Sequence, residues 1–433
     1  MKKVLVITYY WPPSGGPSVQ RVLKFCKYLP EFGWKPYVLT TSDGEFLFID
    51  ESLLSEVNEN VNLYHSNSFS LHSIYKKFCQ SSHKNFVPYG FTDKASNSFI
   101  DKVARWMKYN LIPDTRVPWY FTAVQRAEKI IKKERINLIF SSSPPQTNHL
   151  IACRISKKMR IPWIADFRDP WTEVFWLNND NSLRIKFVHL IDKYIEKKVI
   201  NNANAITTVG PSLVKILQKK TTKPIYLITN GYDDKYFYDN ISYIRSYKFR
   251  ITYAGSLSKE QNPLCFLETV KNIIKTKEIY SDLEVLFLGN FPNYVIKLVK
   301  SMKLENRVVF KPYTSYKKSI EIIINSAILL FIIPNTKDNK CILTSKLFDY
   351  LGANRPILGY GPSNGDASKI LEETNVGKMF DYHDYRGASN YIQSIYYRWK
   401  NNENPIDVNN ESTINKYSRH NLTKKMADIF EDV

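Results

Sequence analysis

The sequence is poor in the features that mark several large classes of protein. It has five cysteines among 433 residues, and none of them forms a Cys-x-x-Cys pair. This odd, scattered set favours a reducing compartment and argues against structural zinc. The seven histidines show no His-x-x-x-His spacing, so we expect no metal site. No segment approaches the roughly 20 apolar residues that cross a bilayer, and we therefore expect a cytoplasmic protein.

Two common phosphate-binding patterns are also missing. The turn after the first strand, Tyr10–Ser18, lacks the Gly-x-Gly-x-x-Gly spacing of a dinucleotide fold and the lysine of a P-loop. The first apolar run, Val4–Thr8, is too short for a signal peptide and leads into Trp-Pro-Pro without a cleavage site. We expect it to be a buried first strand.

Positive charge and apolar residues are abundant instead. Lys and Arg number 61 against 41 Asp and Glu, a net charge of +20, and hydrophobic residues make up 43%. Such a chain can bury large cores, so a disordered or fibrous protein is excluded. The charge favours polyanions, an anionic membrane surface or anionic substrates, although a low-GC coding bias toward Lys, Asn and Ile explains it equally well.

Short apolar runs alternate with amphipathic segments of helical length, and this series occurs twice. Strands that are buried on both faces and alternate with helices form parallel α/β sheets. The strands are predicted at Val4–Thr8, Pro36–Thr40, Leu138–Phe140, Pro162–Ala165 and Ala205–Val209, and then at Phe249–Ala254, Leu283–Leu288, Val308–Phe310, Ile328–Ile333 and Pro356–Tyr360. The fold class is therefore α/β, with two doubly wound, Rossmann-like domains in tandem.

The same pattern sets the expected domain limits. Residues 1–210 are predicted to form the first domain, with a basic, aromatic insertion over residues 66–119. Residues 211–400 are predicted to form the second. A polar stretch then leads to a last helix, Ser412–Phe430, within residues 411–433.

The first candidate ligand loop lies between the first strand and the first helix. In Tyr10–Ser18, Gly15 and Gly16 let the backbone approach a ligand, and the helix start offers free N–H groups to an anion. An ordinary strand-to-helix turn explains the same residues.

The second candidate is Ala165-Asp-Phe-Arg-Asp-Pro-Trp171, directly after a strand. Open α/β sheets bind ligands at the carboxyl ends of their strands. Arg168 and Asp169 therefore indicate the edge of an active site, and a structural salt-bridge cluster is the alternative.

Two further candidates lie in the second series. In Ala254–Pro263, Gly255 and Ser256 follow a strand, and Lys259 can place a cation at a helix start, unless it is a solvated surface lysine. In the second stretch, Leu343–Leu358, we expect Ser345 to cap a helix that carries Lys346 and Asp349 one turn apart. A lysine in the first turn is unfavourable unless it faces an anion; an ion pair between the two is the alternative.

These four stretches, in this order, resemble GT-B glycosyltransferases of family 4. Asn230-Gly-Tyr-Asp233 is similar to the family's Asn-Gly-x-Asp turn, and Lys346-Leu-Phe-Asp-Tyr-Leu to its Lys-Leu-Phe-Glu-Tyr-Leu block. Asp166-Phe-Arg-Asp-Pro-Trp resembles the motif that one subgroup of the family carries in its acceptor domain. The family pattern has two glutamates, whose places are taken here by Cys341 and Asp349, and its catalytic-region histidine is missing, with Arg168 and Asp169 nearest that place.

The resemblance implies a site in the cleft between the domains and a last helix that returns to the first domain. It implies that a sugar passes from a nucleotide donor, most commonly a UDP-sugar, to a cell-surface glycan or lipid-linked acceptor with retention of configuration. Catalytic roles then fall to Arg168, Asp169 and Lys259. The donor would be bound by Gly15, Gly16, Gly255, Ser256, Ser345, Lys346 and Asp349. The chain has no Asp-x-Asp, so we expect cations and N–H groups to stabilise the leaving diphosphate without a metal or other cofactor.

Two other functions compete with this one. Gly361-Pro-Ser-Asn-Gly365 matches the Gly-x-Ser-x-Gly of ester hydrolases, with Asp381 and His383 downstream, although Pro362 removes an N–H from the turn. The charge also permits nucleic-acid binding, but the basic residues are scattered and no known module is present. We expect no nucleic-acid partner.

The insertion suggests one further partner. Lys76–Trp119 is rich in basic and aromatic residues, and helical spacing places Phe99, Val103, Trp106 and Met107 on one side. This pattern is typical of a helix at a membrane interface, and it suits a protein on the inner face of the cell membrane. Packing of the same apolar side on the first domain is the alternative.

Overall fold

The computed structural model describes residues 1–44, 46, 49–68, 111–173, 183–238, 246–275, 277–403 and 410–433. These residues form two compact units. The first contains Met1–Val209, Leu213–Ile228 and Thr423–Val433, and the second contains Gly210–Ser212 and Thr229–Leu422. Most of the predicted insertion, including the apolar side from Phe99 to Met107, lies outside the described residues.

The described part of the first unit is built on a seven-stranded parallel sheet with strand order β3-β2-β1-β4-β5-β6-β7. Its strands are Lys2–Ile7 (β1), Trp34–Thr41 (β2), Asn62–Ser66 (β3), Leu138–Ser143 (β4), Trp163–Phe167 (β5), Ala205–Thr208 (β6) and Ile225–Leu227 (β7). The outer strands β3 and β7 have no fully buried residue, so their sequences lack the apolar run by which we predicted the inner strands.

Helices connect these strands and cover the sheet. They are Pro17–Tyr28 (α1), Trp119–Glu134 (α2), Thr147–Met159 (α3), Leu183–Asn202 (α4) and Pro211–Gln218 (α5). Apolar side chains of α2 to α5 and of the strands form one buried cluster. Val4 and Val6 of β1 lie outside this cluster and are buried as well, so this inner strand is covered on both faces, as its continuous apolar run predicts.

The second unit repeats the design. Its described residues contain a six-stranded parallel sheet with order β10-β9-β8-β11-β12-β13. The strands are Phe249–Ala254 (β8), Leu283–Leu288 (β9), Val308–Lys311 (β10), Ile328–Ile332 (β11), Ile357–Tyr360 (β12) and Gly377–Phe380 (β13). The predicted fold class, two doubly wound α/β domains, is confirmed.

The remaining helices range from five to 16 residues in length. They are Asp234–Tyr238 (α6), Leu264–Ile273 (α7), Lys277–Asp282 (α8), Asn293–Ser301 (α9), Tyr316–Ile324 (α10), Ser345–Ala353 (α11), Asp366–Thr374 (α12), Tyr385–Lys400 (α13), Glu411–Asn415 (α14) and Arg419–Asp432 (α15). Among the described helices, none has the length and apolarity needed to cross a bilayer.

The C-terminal helical segment is interrupted, where the sequence predicted one continuous helix, Ser412–Phe430. The interruption falls at Ser418, which pairs in parallel with Tyr232. The Tyr232 N–H donates to the Tyr417 carbonyl at 3.2 Å, and the Arg419 N–H donates to the Tyr232 carbonyl at 2.7 Å. A Cβ on Gly231 would lie 2.2 Å from the Tyr417 carbonyl oxygen, so the Asn-Gly-Tyr turn needs glycine to reach this segment.

The end of α15 packs in the first unit. The Phe430 ring lies 5.3 Å from Trp34 and 5.7 Å from Phe140, measured between ring centroids. Glu431 pairs with Lys2 on the surface. These aromatic contacts join the last residues of the chain to strands β2 and β4.

A fully buried ion pair lies at the centre of the first unit. Arg21 on α1 donates to both carboxylate oxygens of Asp166 on β5, at 3.0 and 2.8 Å, and neither side chain is exposed. Ser142 and Thr207 donate two further hydrogen bonds to Asp166. Burial alone would raise the pKa of Asp166, but Arg21 and these hydrogen bonds lower it overall. The salt-bridge alternative for this stretch is therefore realised at Asp166.

We expect Arg21→Met to lower the free energy of unfolding by about 3–5 kcal/mol, because it leaves a buried carboxylate without its counter-charge. Urea denaturation of the full chain measures the change. Lys2→Met is the matched control, since the Lys2–Glu431 pair is half exposed and such pairs contribute about 0–1 kcal/mol. Equal losses in the two variants would contradict the importance assigned to the buried pair.

Candidate functional site

The candidate site of the second unit lies where its strand order reverses. Strands β9 and β10 lie on one side of β8, and β11, β12 and β13 lie on the other. The loop after β8 and the segment between β11 and α11 therefore leave the sheet at neighbouring carboxyl ends. Open α/β sheets bind ligands at this position.

Gly255 begins the loop after β8 in a conformation that suits only glycine. Its φ is +115°, and an added Cβ would lie 2.3 Å from Cε of Lys346. Its N–H donates to the Leu288 carbonyl at 2.7 Å. Gly289, with φ of +136°, lies directly against the Gly255 backbone. Gly289 thus lets the Gly255 backbone approach, and Gly255 leaves the space that the Lys346 side chain occupies.

Lys346 extends from the first turn of α11 into this space. Its ammonium donates to the Tyr253 hydroxyl at 2.5 Å and to the Ser256 carbonyl at 3.1 Å, and it lies 4.2 Å from the centroid of the Tyr253 ring. These partners are uncharged, and burial lowers the pKa of Lys346 to about 7. The site therefore holds a cation whose charge is only partly compensated.

The start of α11 differs from the prediction. Ser345 is the first helical residue, and Thr344, in extended conformation, precedes it as the N-cap. The expectation that Ser345 caps the helix is therefore wrong. No side chain caps the first turn, and the Thr344 hydroxyl is buried without a hydrogen-bond partner in the described part of the chain. The helix start thus presents unsatisfied donors beside Lys346.

Asp349 lies one turn along the same helix and has a separate partner. It accepts a hydrogen bond from the Tyr316 hydroxyl at 2.6 Å, and burial and the carboxylate together raise the Tyr316 pKa well above its usual value. Lys346 and Asp349 thus point to different groups, and the predicted alternative of an ion pair between them is not realised. The Tyr350 hydroxyl fixes α11 by accepting from the Ala254 N–H at 2.9 Å.

Two further residues predicted for the site, Ser256 and Lys259, lie on the loop after β8 and differ in their contacts. Ser256 contributes its carbonyl to Lys346, whereas the Lys259 side chain is exposed. The buried Gln261 closes the loop by donating to the Ile332 carbonyl at 2.8 Å and accepting from the Ser258 N–H at 3.0 Å. Sequence reasoning missed Gln261, because its partner lies on a strand far along the chain.

Cys341 lies on the segment that leads to this helix. It ends a short 3₁₀ turn, Asn339–Cys341, and its thiol donates to the Asp338 carbonyl at 3.2 Å. A thiol is a weak hydrogen-bonding group, so this position offers a ligand less than a carboxylate would.

The glycine-rich loop of the first unit has one position that demands glycine. Gly16 precedes α1 with φ of +93°, while a Cβ added there would meet no atom within 4 Å. Its backbone conformation, and not crowding, therefore requires glycine. Gly15, beside it, is half-buried.

Arg168 holds loops of the first unit together. Its guanidinium donates to the carbonyls of Ser143 at 2.7 Å, Ser18 at 2.8 Å and Pro144 at 2.5 Å. Burial lowers the pKa of this arginine, against the influence of Asp169 and Asp166. Asp169 keeps an exposed surface; desolvation by neighbouring atoms raises the pKa of its carboxyl, and Arg168 opposes the shift.

The structure gives no support to the ester-hydrolase pattern. Ser363 is exposed between β12 and α12, and His383 is exposed after β13. In the described residues, no hydrogen bond joins Ser363 to His383 or Asp381. A serine nucleophile requires a base within hydrogen-bond reach.

Comparisons with solved structures agree with the architecture. The structure is similar to sucrose-phosphate synthase from Thermosynechococcus elongatus, with a TM-score of 0.67, 12% identity, and coverage of 100% of this chain and 99% of that one. HepE from Anabaena, in complex with UDP and glucose, matches with a TM-score of 0.64, 12% identity and complete coverage of both chains. A mutant of TarM from S. aureus, in complex with UDP and other ligands, matches with a TM-score of 0.62, 11% identity, and coverage of 99% of this chain and 100% of that one.

The sequence itself matches a family model. No curated protein matches the chain, but residues 18–236 match the model described as Glycosyltransferase Family 4. This match spans half of the chain and includes the stretch with Arg168 and the Asn-Gly-Tyr-Asp turn. Together with the two parallel-sheet units of the GT-B fold, it shows that the chain belongs to Glycosyltransferase Family 4.

Proposed function

We propose that this glycosyltransferase moves a sugar from a UDP-sugar donor to a cell-surface glycan or lipid-linked acceptor with retention of configuration. The observation that carries the donor assignment is the partly buried Lys346 ammonium at the start of α11, with uncharged oxygens as its partners. A diphosphate there would receive hydrogen bonds from the ammonium and from the uncapped N–H groups of the helix.

Other residues of the site fit the same ligand. The Thr344 hydroxyl is a further donor without a partner in the described residues. Asp349, steadied by Tyr316, is suited to accept hydrogen bonds from ribose hydroxyls. Solved structures of HepE with UDP-glucose and of TarM with UDP support a UDP donor. The exposed Lys259 adds a second cation near the loop, so the proposal needs no metal ion or other cofactor.

The catalytic assignment in the first unit favours Asp169 for contact with substrate. The Arg168 guanidinium donates hydrogen bonds to three backbone carbonyls. We therefore assign Arg168 a positioning role. Asp169 is accessible, and a carboxylate beside the loops that Arg168 holds is suited to contact a substrate and exchange protons with it. The glycines at 15 and 16 leave room for the donor or acceptor, and retention would follow from attack on the face that the diphosphate leaves.

We expect Lys346→Ala to weaken UDP binding by about 10- to 150-fold, the value of one charge-assisted hydrogen bond of about 1.5–3 kcal/mol. Asp349→Ala should weaken it less, because the ribose hydroxyls are neutral. Isothermal titration with UDP measures both. Lys369→Ala is the control, since Lys369 is exposed on α12. Unchanged UDP affinity in both site variants would remove α11 from the donor site.

UDP affinity should also fall as the pH rises above about 7. The pKa of Lys346 in the free protein is about 7, and the bound diphosphate must raise it by favouring the charged form. Binding at about pH 8 should therefore take up close to one proton, and affinity should fall by up to about tenfold per pH unit until the pKa of the bound lysine is reached.

Titrations in two buffers of different ionisation enthalpy measure this proton directly. Lys346→Met is the control, and it should bind UDP weakly with no proton uptake and no dependence on pH in this range. Proton uptake that persists in Lys346→Met would assign the titration to another group.

A further inference from the structure

A pocket of the second unit lies at the starts of helices α7 and α13. It contains about 540 Å³ of space that is open to solvent, which is within the range of pockets that bind small molecules. Its wall combines the loop after β8, the carboxyl ends of β11 and β12, and the segment after β13. Helices α7 and α13 pack in one buried cluster and α11 in another, and these clusters take alternate residues of the strands. The pocket therefore lies on the opposite face of the sheet from α11.

Three tyrosines line this pocket, at positions Tyr360, Tyr382 and Tyr385. The Tyr360 hydroxyl is hydrogen-bonded to the Thr269 hydroxyl at 3.1 Å, and the Tyr382 hydroxyl donates to the Pro334 carbonyl at 3.0 Å. Because these hydroxyls are engaged inside the unit, the two tyrosines offer a ligand mainly their rings. Aromatic rings attract a cation over their faces, and they also pack against the C–H groups of a sugar.

The pocket lies in a region of negative charge. Glu260 lines it with an exposed carboxylate, which forms no hydrogen bond or ion pair within the described part of the chain. In the wall, burial raises the pKa of the Cys265 thiol to about 12, and the carboxylates of Glu268, Asp384 and Asp381 act in the same direction. No lysine or arginine is among the described residues that line the pocket. In a chain with a net charge of +20, this local sign favours a cationic ligand.

The two helix starts at the pocket do not reverse this sign. Each helix N-terminus is equivalent to about half a positive charge, so together they offset about one of the four carboxylates. Their first N–H groups already have partners: Asn262 accepts from the Leu264 N–H at 3.0 Å, and Asp384 accepts from the Gly387 N–H at 2.8 Å. A phosphate would therefore find negative charge here and few free donors.

We propose that this pocket binds a sugar unit that carries a protonated amine. The ammonium pairs with Glu260 and lies against the tyrosine rings, and the exposed amides of Asn262 and Asn335 at the rim hydrogen-bond the sugar hydroxyls, since an amide both donates and accepts. This inference rests on the proposed glycan acceptor, to which it assigns an amino group, but it involves none of the residues assigned to the donor.

Glucosamine, glucose and N-acetylglucosamine test the proposal as a matched set, because they share one ring and differ only in the group at one carbon. At about pH 7 the amine of glucosamine is mostly protonated. Saturation-transfer NMR titrations of the full chain should give an affinity for glucosamine at least about fivefold higher than for the other two sugars. Salt at about 1 M should weaken the binding of glucosamine alone.

Two pairs of variants assign this preference to the pocket. Glu260→Gln should weaken glucosamine binding about two- to fivefold, whereas Glu305→Gln, at an exposed glutamate elsewhere in the second unit, should leave it unchanged. Tyr385→Leu should weaken it by a similar factor, and Tyr385→Phe, which keeps the ring, should not. Melting temperatures from circular dichroism show whether each variant remains folded.

Equal affinity for glucosamine and glucose would overturn the proposal, as would absence of glucosamine binding or full binding by Glu260→Gln. Equal losses in Tyr385→Leu and Tyr385→Phe would overturn the role of the ring. Tighter binding of inorganic phosphate than of glucosamine would assign the helix starts to an anion instead. UDP titration of the same variants should be unchanged: glucosamine binding without UDP binding would reject the donor site alone, and the reverse would reject this pocket alone.

Discussion

The second unit depends on a lysine that lies in an electrostatically unfavourable place. The first turn of a helix repels a cation, and burial removes the water that would solvate it. Both effects act on Lys346, which lies next to Gly255 and has a hydroxyl and a carbonyl as its hydrogen-bond partners. In the proposed function, the diphosphate of the donor supplies the missing negative charge. The two glycines, Tyr253 and the uncapped helix are all arranged around that one ammonium.

The first unit uses its charges in a different way. In the Asp-Phe-Arg-Asp stretch, Asp166 points into the core toward Arg21, Arg168 ties together three backbone carbonyls, and Asp169 remains accessible. Adjacent charged residues thus have separate tasks: one holds a helix to the sheet, one shapes the loops, and one stays exposed, as its proposed contact with substrate requires. The salt-bridge interpretation of this stretch therefore applies to Asp166, and the proposed site edge rests on Asp169.

The sequence predicted the fold well because the inner strands are apolar on both faces. Ile328–Ile332, for example, is entirely buried. Edge strands such as Ile225–Leu227 were missed, because a half-exposed strand has no such run. In the candidate site, Lys346 and Asp349 were identified by their position on a helix. Their partners were not, since Tyr253 and Tyr316 come from other parts of the chain. Ser345 was misassigned because Thr344 can equally well precede a helix.

The pairing of Tyr232 with Ser418 has a consequence for the order in which the chain folds during synthesis. Residues at the beginning and at the end of the second unit must meet before that unit is closed. The first unit likewise lacks the contact between the Phe430 and Trp34 rings until residue 430 has been synthesised. Domains made on the ribosome often fold one after another. Here both units lack some of their native contacts, and so leave apolar surface exposed, until residues 418–430 have been synthesised.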